Sequence, residues 1–290
     1  MAEAPKAVEP PVRAAVGRHS SIVYSDDRRW AEHLCTFVRD GLDRHEAMRY
    51  FAYATEPAQV LRTLSDAGID AQEAVRSGQL TVTNVAAPHR GDAVFDPDGL
   101  IGRWHEGVDA AFADGYRGLR VIGEMSWAER DTDDADRMLE YELRVHHEVF
   151  ERLPLTGWCF YDRRLMSEER LNVLAGAHLT HRGDSVAEPT LQVAPLDGAP
   201  GFLLNGSAGW DTRRTVAAAA AALVRTPHPR PELDFSALQH LDADSLVTLA
   251  QAAARRPGGA PLRIRQAPPT LRRLLDLFPE LGSTMEVVVR

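Results

Sequence analysis

Residues 118–127 read GLRVIGEMSW, and residues 155–162 read LTGWCFYD, two short runs that are mostly apolar. Runs of this length and composition are typical of strands buried on both faces of a parallel sheet. Residues 134–152, between the two runs, predict a helix. The resulting strand–helix–strand unit predicts an α/β fold around a mostly parallel sheet.

The same alternation of strands and helices continues towards the N-terminus. Further strands are predicted at residues 20–24, 48–54 and 79–84, and further helices at residues 30–41, 59–68 and 98–115. We therefore expect residues 18–185 to form one three-layer α/β domain. Residues 1–17, rich in Ala, Pro and Glu, are expected to be a flexible tail.

A short polar stretch, HRGDSVAEP at residues 181–189, predicts a linker to a second domain. Beyond it the predicted order of elements is β-β-α-β-α-β-α-β, with Asp197-Gly198 as the turn of an initial hairpin. The strands are expected at 191–196, 202–205, 232–236, 261–266 and 285–289, and the helices at 211–224, 242–256 and from Pro269 onwards. This order predicts a small α/β domain over residues 190–290.

Composition indicates a soluble globular protein without a membrane span. The chain has 290 residues, 44% of them hydrophobic, and 33 basic against 42 acidic residues give a net charge of −9. The longest uncharged apolar run, Val216 to Val224, is about half as long as a membrane helix requires. No secretory signal is visible. We therefore expect a cytoplasmic protein.

Several kinds of chemistry are disfavoured by the residues present. Lys6, in the presumed tail, is the only lysine, so neither a P-loop lysine nor a Schiff-base lysine is expected in a folded domain. No G-x-S-x-G nucleophile motif occurs. The acidic balance disfavours direct binding to nucleic acid. The sequence predicts no catalytic residue and no cofactor.

A ligand pocket is expected beyond the carboxyl ends of the parallel strands. Aromatic and acidic side chains there would bind a small amphipathic or cationic molecule by stacking and cation–π contact. The candidates are Tyr24, Glu124, Trp127, Tyr161 and Asp162, with His19 at the start of the first strand. The alternative is that the aromatic residues complete the core and the carboxylates cap helices.

Metal ligands occur only as incomplete sets. Glu142 and His146 are four residues apart on one predicted helix, and His178 and His181 are three residues apart. Each spacing fits two ligands, but neither pair completes a site, and no metal is predicted. Glu124 follows an apolar strand, where α/β enzymes place a base or a metal ligand, but it has no evident partner.

The first part of the chain resembles the MEDS sensory domain of methanogen and methylotroph regulators over about residues 18–182. The resemblance rests on HSSIVY (residues 19–24), GLRVIGEMSW (118–127), LEYELRVHHEVF (139–150) and WCFYD (158–162). It implies a RecA- or KaiC-type core without the phosphate loop, and a module that senses small, possibly hydrocarbon-derived molecules. The helix-turn-helix that precedes this domain in some regulators is not expected here.

The second part is similar to the STAS domain of bacterial anti-sigma factor antagonists over residues 190–290. The resemblance rests on LDFSALQHLDADSL (residues 233–246) and PLRIRQAPPTLRRLLDLFPEL (residues 261–281). In that family the second serine of a D-S-S-G motif, at the start of a helix, is phosphorylated by the partner anti-sigma kinase. The resemblance therefore implies a partner of the ATP-binding anti-sigma factor type.

This sequence departs from the family motif. Asp242 matches the motif aspartate, Ala243 the first serine, Asp244 the phosphoacceptor serine and Ser245 the glycine. The carboxylate of Asp244 at a helix N-terminus resembles a weak, permanent imitation of phosphoserine. Ser245 is a displaced candidate acceptor. The alternative is that Asp242, Asp244 and Ser245 only cap the helix.

These observations predict a regulator that is not an enzyme. Its first domain would sense a small molecule or a partner, and its second would bind an anti-sigma factor. One alternative is a RecA-like enzyme or nucleotide-binding protein that uses Glu124. Another is a scaffold that assembles with other STAS proteins, and an oligomer is compatible with either role.

Overall fold

The computed structural model describes residues 18–84, 95–129, 132–258 and 260–288, without the side chains of residues 132–136. The tail expected at residues 1–17 lies outside these ranges, as does Val289 at the end of the last expected strand. Among the described helices, none is long and apolar enough to cross a bilayer. The fold is mixed α/β with two sheets.

The first sheet has six strands in the order β3-β2-β4-β5-β1-β6. Every neighbouring pair is parallel, as the apolar runs predicted. The strands are β1 (His19–Tyr24), β2 (Ala47–Ala52), β3 (Leu80–Asn84), β4 (Leu119–Glu124), β5 (Leu155–Asp162) and β6 (Thr180–Gly183).

Helices cover both faces of this sheet, because parallel strands need crossover connections. On one face pack α1 (Asp27–Asp43), α2 (Pro57–Asp66) and α3 (Ala71–Arg76). On the other face pack α4 (Pro97–Ala113), α5 (Thr132–Val145) and α6 (Glu168–Ala175). A 3₁₀ turn, Ser126–Glu129, follows β4, and a π turn, His146–Phe150, follows α5.

The structure corrects the linker predicted at residues 181–189. His181, Arg182 and Gly183 belong to β6, which pairs with β1 at the edge of the first sheet. A four-residue edge strand that is largely exposed has no apolar alternation to reveal it. Helices α3 and α6 were also not predicted from the sequence. Each spans fewer than three turns, which is too short to show a clear apolar periodicity.

The second sheet has five strands in the order β11-β10-β9-β8-β7. Its strands are β7 (Leu191–Pro195), β8 (Gly201–Ala208), β9 (Glu232–Leu241), β10 (Leu262–Arg265) and β11 (Met285–Val288). The predicted hairpin is confirmed, since β7 and β8 pair antiparallel, while the remaining pairs are parallel. Its helices are α7 (Arg213–Arg225), α8 (Ala243–Arg255), α9 (Pro269–Leu277) and α10 (Pro279–Gly282).

The two sheets share one hydrophobic core. Helix α5 from the first sheet packs against α7 from the second, and a single cluster of buried side chains runs through both. Polar contacts cross the same boundary: Gln192 donates to the Gly176 carbonyl at 2.9 Å, and Arg225 pairs with Asp98 at 3.0 Å. Helix α5 is therefore buried between the two sheets.

Candidate ligand cavity and buried histidine cluster

A cavity of about 510 Å³ lies between the first sheet and helices α4 and α5. Its walls come from the carboxyl-end half of β4, from β5, and from the two helices. This volume is within the range of small-molecule sites, roughly 300–1,000 Å³. Few of the lining residues have polar or charged side chains: His19, Asp96, Arg103, Glu124 and Cys159.

Aromatic side chains form most of the cavity wall. Phe95 packs against Trp127 with ring centroids 5.0 Å apart and against Tyr141 at 5.7 Å. The indole nitrogen of Trp104 donates to the Tyr141 hydroxyl at 2.7 Å. This bond fixes the orientation of both rings in the cavity wall. The aromatic lining side chains are Phe51, Phe95, Trp104, Trp127, Tyr141 and Phe150, whereas the ring of Trp158 packs on Phe37 at the opposite face of the sheet.

The carboxylate of Glu124 is buried and accepts hydrogen bonds at both oxygens. Oε1 accepts from the Tyr50 hydroxyl at 2.6 Å. Oε2 accepts from the backbone amides of Tyr53, Ala54 and Thr55 at 2.8, 2.7 and 3.0 Å. Three consecutive amides aimed at one point form an anion-binding nest, and here the anion is the chain's own carboxylate. Glu124 thus fixes the loop between β2 and α2.

Three of the six residues predicted to bind a ligand line the cavity: His19, Glu124 and Trp127. The structure places the other three elsewhere. Tyr24 packs on Phe160 at the opposite face of the sheet, because alternate residues of a strand face opposite sides.

Tyr161 and Asp162 also have other roles. The Tyr161 hydroxyl donates to Glu142 Oε1 at 3.4 Å. The Asp162 carboxylate accepts from the backbone amide of Arg164 at 3.0 Å and from its guanidinium at 2.9 Å. Asp162 therefore caps a turn, as the alternative interpretation of the carboxylates predicted.

A buried polar cluster adjoins the cavity. Glu142 Oε2 lies 3.1 Å from His19 Nε2, 3.4 Å from His178 Nε2 and 3.9 Å from Cys159 Sγ. Cys159 Sγ lies 3.5 Å from His19 Nε2. The side chains of His19, Glu142 and His178 are at most 1% exposed. His19 and Cys159 also line the cavity, so the cluster is part of its wall.

Burial dominates the electrostatics of this cluster. It lowers the pKa of His178 to about 3, helped by the neighbouring His19, and lowers the pKa of His19 well below its usual value. It also raises the pKa of Glu142 and of the Cys159 thiol. Burial therefore drives each of these groups towards its neutral form.

The orientation of His178 is set by the backbone. Its Nδ1 donates to the Leu174 carbonyl at 3.0 Å, so the neutral ring carries its lone pair on Nε2. That nitrogen has no hydrogen-bond donor among the described residues. It faces Glu142 Oε2, which is also an acceptor when the carboxylate is ionised.

The sequence pattern singled out Glu142 and His178 but paired them with His146 and His181, which lie outside this cluster. His181 instead contacts the Ser21 hydroxyl at 3.0 Å, and His146 lies 3.4 Å from Glu151. The missing signal was strand register. Because His19 pairs with Gly157, His19 and Cys159 face the same side of the sheet.

The π turn after α5 connects the cavity wall to the second sheet. Phe150 lines the cavity and stacks on His19, with ring centroids 4.3 Å apart. His147, in the same turn, lies 3.1 Å from the Gly201 carbonyl at the start of β8 and 3.0 Å from Glu151. Hydrogen bonds to His146 and His147 outweigh burial and lower the pKa of Glu151 to about 2.

The predicted partner-binding residues lie at the start of α8. Asp242 is its N-cap and accepts from the Ser245 amide at 2.8 Å, while the Ser245 side chain is buried. Asp244 is exposed. Nearby, Trp210 is 70% exposed with the Arg213 guanidinium 4.2 Å from its ring centre. These residues line a small cavity of about 210 Å³.

Comparison with known proteins identifies relatives of the first part of the chain. The sequence model of the MEDS family, "MEthanogen/methylotroph, DcmR Sensory domain", matches residues 18–181. A curated protein, the transcriptional repressor DcmR of Methylorubrum extorquens strain DM4, is 28% identical over 134 residues. That match covers 46% of this chain and 47% of the repressor, so it spans about half of either protein.

Proposed function

Because this chain belongs to the MEDS family of sensory domains, we propose that residues 18–181 bind a small, largely apolar molecule in the aromatic cavity and that the protein is a regulator rather than an enzyme. The properties of the cavity are the main support for this proposal. Its wall is aromatic, its volume suits a small ligand, and few polar groups line it. Apolar burial and ring contacts would supply the affinity.

Helix α5 and its π turn offer a route from the cavity to the second sheet. Met138 and Tyr141 of α5 line the cavity, and the same helix packs on α7. Phe150 and His147 extend the route to Gly201. A ligand that moves α5 would therefore change the packing of the second sheet, provided it binds the two arrangements with different affinity.

We propose that the second sheet is the output module, a STAS-like domain that binds an anti-sigma factor at the start of α8. Exposed Asp244, Trp210 and Arg213 support this role, because a charge and an aromatic anchor on one surface are typical of recognition sites. Buried Ser245 is a poor kinase substrate, so Asp244 provides the fixed charge in this proposal. The relative named as a transcriptional repressor agrees with a regulatory role.

The nucleotide-binding alternative receives less support. Glu124 was its candidate base, yet both carboxylate oxygens accept hydrogen bonds from Tyr50 and from the loop at residues 53–55. The chain also enters α1 through Asp26 and Asp27, whose charges repel a phosphate at that helix N-terminus.

Toluene, an apolar probe of suitable size, tests the cavity. We expect it to alter the emission of the full chain, since Trp104 and Trp127 line the cavity. At ten times its dissociation constant it should stabilise the fold by about 1.4 kcal/mol. Val121→Phe places a larger side chain in the cavity wall and should weaken both effects, whereas Val121→Ile should preserve them. Toluene effects of undiminished size and affinity in folded Val121→Phe would contradict the proposal.

The partner proposal is tested by affinity capture with the full chain from the native cytoplasm. We expect recovery of an ATP-binding anti-sigma factor, loss of that factor with Trp210→Ala, and altered recovery with Asp244→Ser. Phe112→Ala, at a side chain 48% exposed on α4, is the matched control and should leave recovery unchanged. Failure to recover such a factor with any bait would refute this output, while the toluene result would be unaffected.

A further inference from the structure

We propose that His19, Glu142, Cys159 and His178 form a binding site for one divalent transition metal ion, zinc in the first instance, in the wall of the cavity. One ligand atom from each of the four side chains lies within 4.8 Å of the others. The set contains two nitrogen ligands, one sulfur and one oxygen. Zinc takes imidazole, thiolate and carboxylate ligands together, in tetrahedral geometry.

Four of the six distances between the ligand atoms are close to those of a tetrahedral site. Around zinc, bonds of about 2.0–2.1 Å to nitrogen or oxygen and about 2.3 Å to sulfur separate neighbouring ligand atoms by about 3.3–3.6 Å. In the structure, Glu142 Oε2 lies 3.1 Å from His19 Nε2 and 3.4 Å from His178 Nε2. Cys159 Sγ lies 3.5 Å from His19 Nε2 and 3.9 Å from Glu142 Oε2. The other two distances, from His178 Nε2 to His19 and to Cys159, are within 4.8 Å, so side-chain adjustments would bring all four atoms to bonding distance.

The charges also match a dication. When ligated, Glu142 and Cys159 each contribute one negative charge, and His19 and His178 are neutral. The buried site with zinc is therefore electrically neutral, which avoids the large penalty of burying net charge. Cys159 must release its proton on binding, so metal uptake releases protons to solvent.

His178 gives an independent reason to place a cation here. Its Nδ1 bond to the Leu174 carbonyl directs the Nε2 lone pair at the cluster, and Nε2 has no donor among the described residues. Metal-ligating histidines in proteins commonly donate their other ring nitrogen to a carbonyl in this way. A metal ion would receive the Nε2 lone pair and separate it from Glu142.

The second cluster of the described chain that has metal-binding residue types is a weaker candidate. His146, His147 and Glu151 provide three ligands rather than four, and the Glu151 side chain is 35% exposed. His147 is also engaged by Gly201. His146 is therefore a suitable control position.

Cobalt is the probe that tests the site, because tetrahedral Co²⁺ bound to a thiolate has visible bands and a near-ultraviolet charge-transfer band. The full chain is stripped with a chelator, titrated with Co²⁺, and then with Zn²⁺ as competitor. We expect one equivalent of Co²⁺, a thiolate charge-transfer band, and displacement of the Co²⁺ by Zn²⁺. Absence of metal uptake by the folded chain would overturn the proposal.

Variants assign the ligands. Cys159→Ser should remove the charge-transfer band, and His178→Gln should weaken binding by more than about 100-fold, beyond the range of outer-sphere changes. Cys35→Ser and His146→Gln are the controls and should keep the wild-type spectrum and stoichiometry. If Cys159→Ser or His178→Gln does not fold, loss of the charge-transfer band in Cys35→Ser would contradict the assignment, and its retention would support Cys159. Loss of binding in His146→Gln would likewise overturn it.

Discussion

At the scale of single residues, Glu124 shows how a side chain can resemble a catalytic base in sequence and be structural in the fold. It ends a buried strand, where α/β enzymes often place functional carboxylates. Its two oxygens instead accept four hydrogen bonds from Tyr50 and the loop at residues 53–55. Sequence reasoning placed this residue at the end of a strand but could not count its partners, because they lie about 70 residues earlier in the chain.

We expect Glu124→Ala to lower the free energy of unfolding by about 3 kcal/mol, because it leaves three amides and a hydroxyl without their acceptor. Glu124→Gln should have a smaller effect, since one amide oxygen still accepts. Urea denaturation measures both. Glu106→Ala, at an exposed position on α4, is the control and should change stability by less than about 0.5 kcal/mol. An unchanged free energy of unfolding in Glu124→Ala would show that the loop does not depend on this carboxylate.

At the scale of elements, the long apolar segments were the predictable part of the fold. Strand β5 begins and ends at the residues predicted, Leu155 and Asp162, because its mostly apolar run is bounded by Pro154 and by the charged residues 162–164. Helix α5 was predicted too long, since a π turn at residues 146–150 continues the same apolar periodicity with different hydrogen bonds. The buried cluster was not predictable because it joins two strands, a helix and a loop whose register the sequence does not reveal.

The alanine run of helix α7 has a buried face and an exposed face. Ala219 is fully buried in this helix, while Ala217 is exposed two positions earlier. We expect Ala219→Leu to destabilise the protein by about 1–3 kcal/mol, because the packed face has no room for a larger side chain. Ala217→Leu makes the same chemical change on the exposed face and should be near neutral. Thermal unfolding of both variants measures the difference. Equal losses of stability would mean that the buried face of α7 is not tightly packed.

The π turn should make stability depend on acid pH through Glu151. Its pKa in the folded protein is about 2, below the ordinary value of 4.5. The stabilisation is therefore complete above about pH 4.5 and lost as the pH falls towards 2. Glu151→Gln should flatten the fall in urea midpoint over this range, whereas Glu169→Gln, exposed on α6, should leave it unchanged. An unchanged slope in Glu151→Gln would show that the carboxylate is not stabilised by His146 and His147.

At the scale of the whole molecule, the central question is whether the two sheets act as separate domains or as one unit. The sequence predicted two domains joined by a linker, and that division stays a prediction. Within the described residues, however, one hydrophobic cluster includes Val121 of the first sheet and Phe235 of the second, and α5 packs on α7 between them. The proposed signal transfer from the cavity requires this shared core to couple the sheets energetically.

We expect the chain to unfold in one cooperative transition, so that a substitution that destabilises one sheet also destabilises the other. Phe235 is 2% exposed in β9, and Phe235→Ala should lower the free energy of unfolding by about 3–5 kcal/mol. If the core couples the sheets, amide hydrogen exchange in β4 should accelerate together with exchange in β9. Phe112→Ala, at a half-exposed side chain on α4, should accelerate neither. Faster exchange confined to the second sheet would mean that the sheets open independently, and a ligand in the cavity would then need another route to the start of α8.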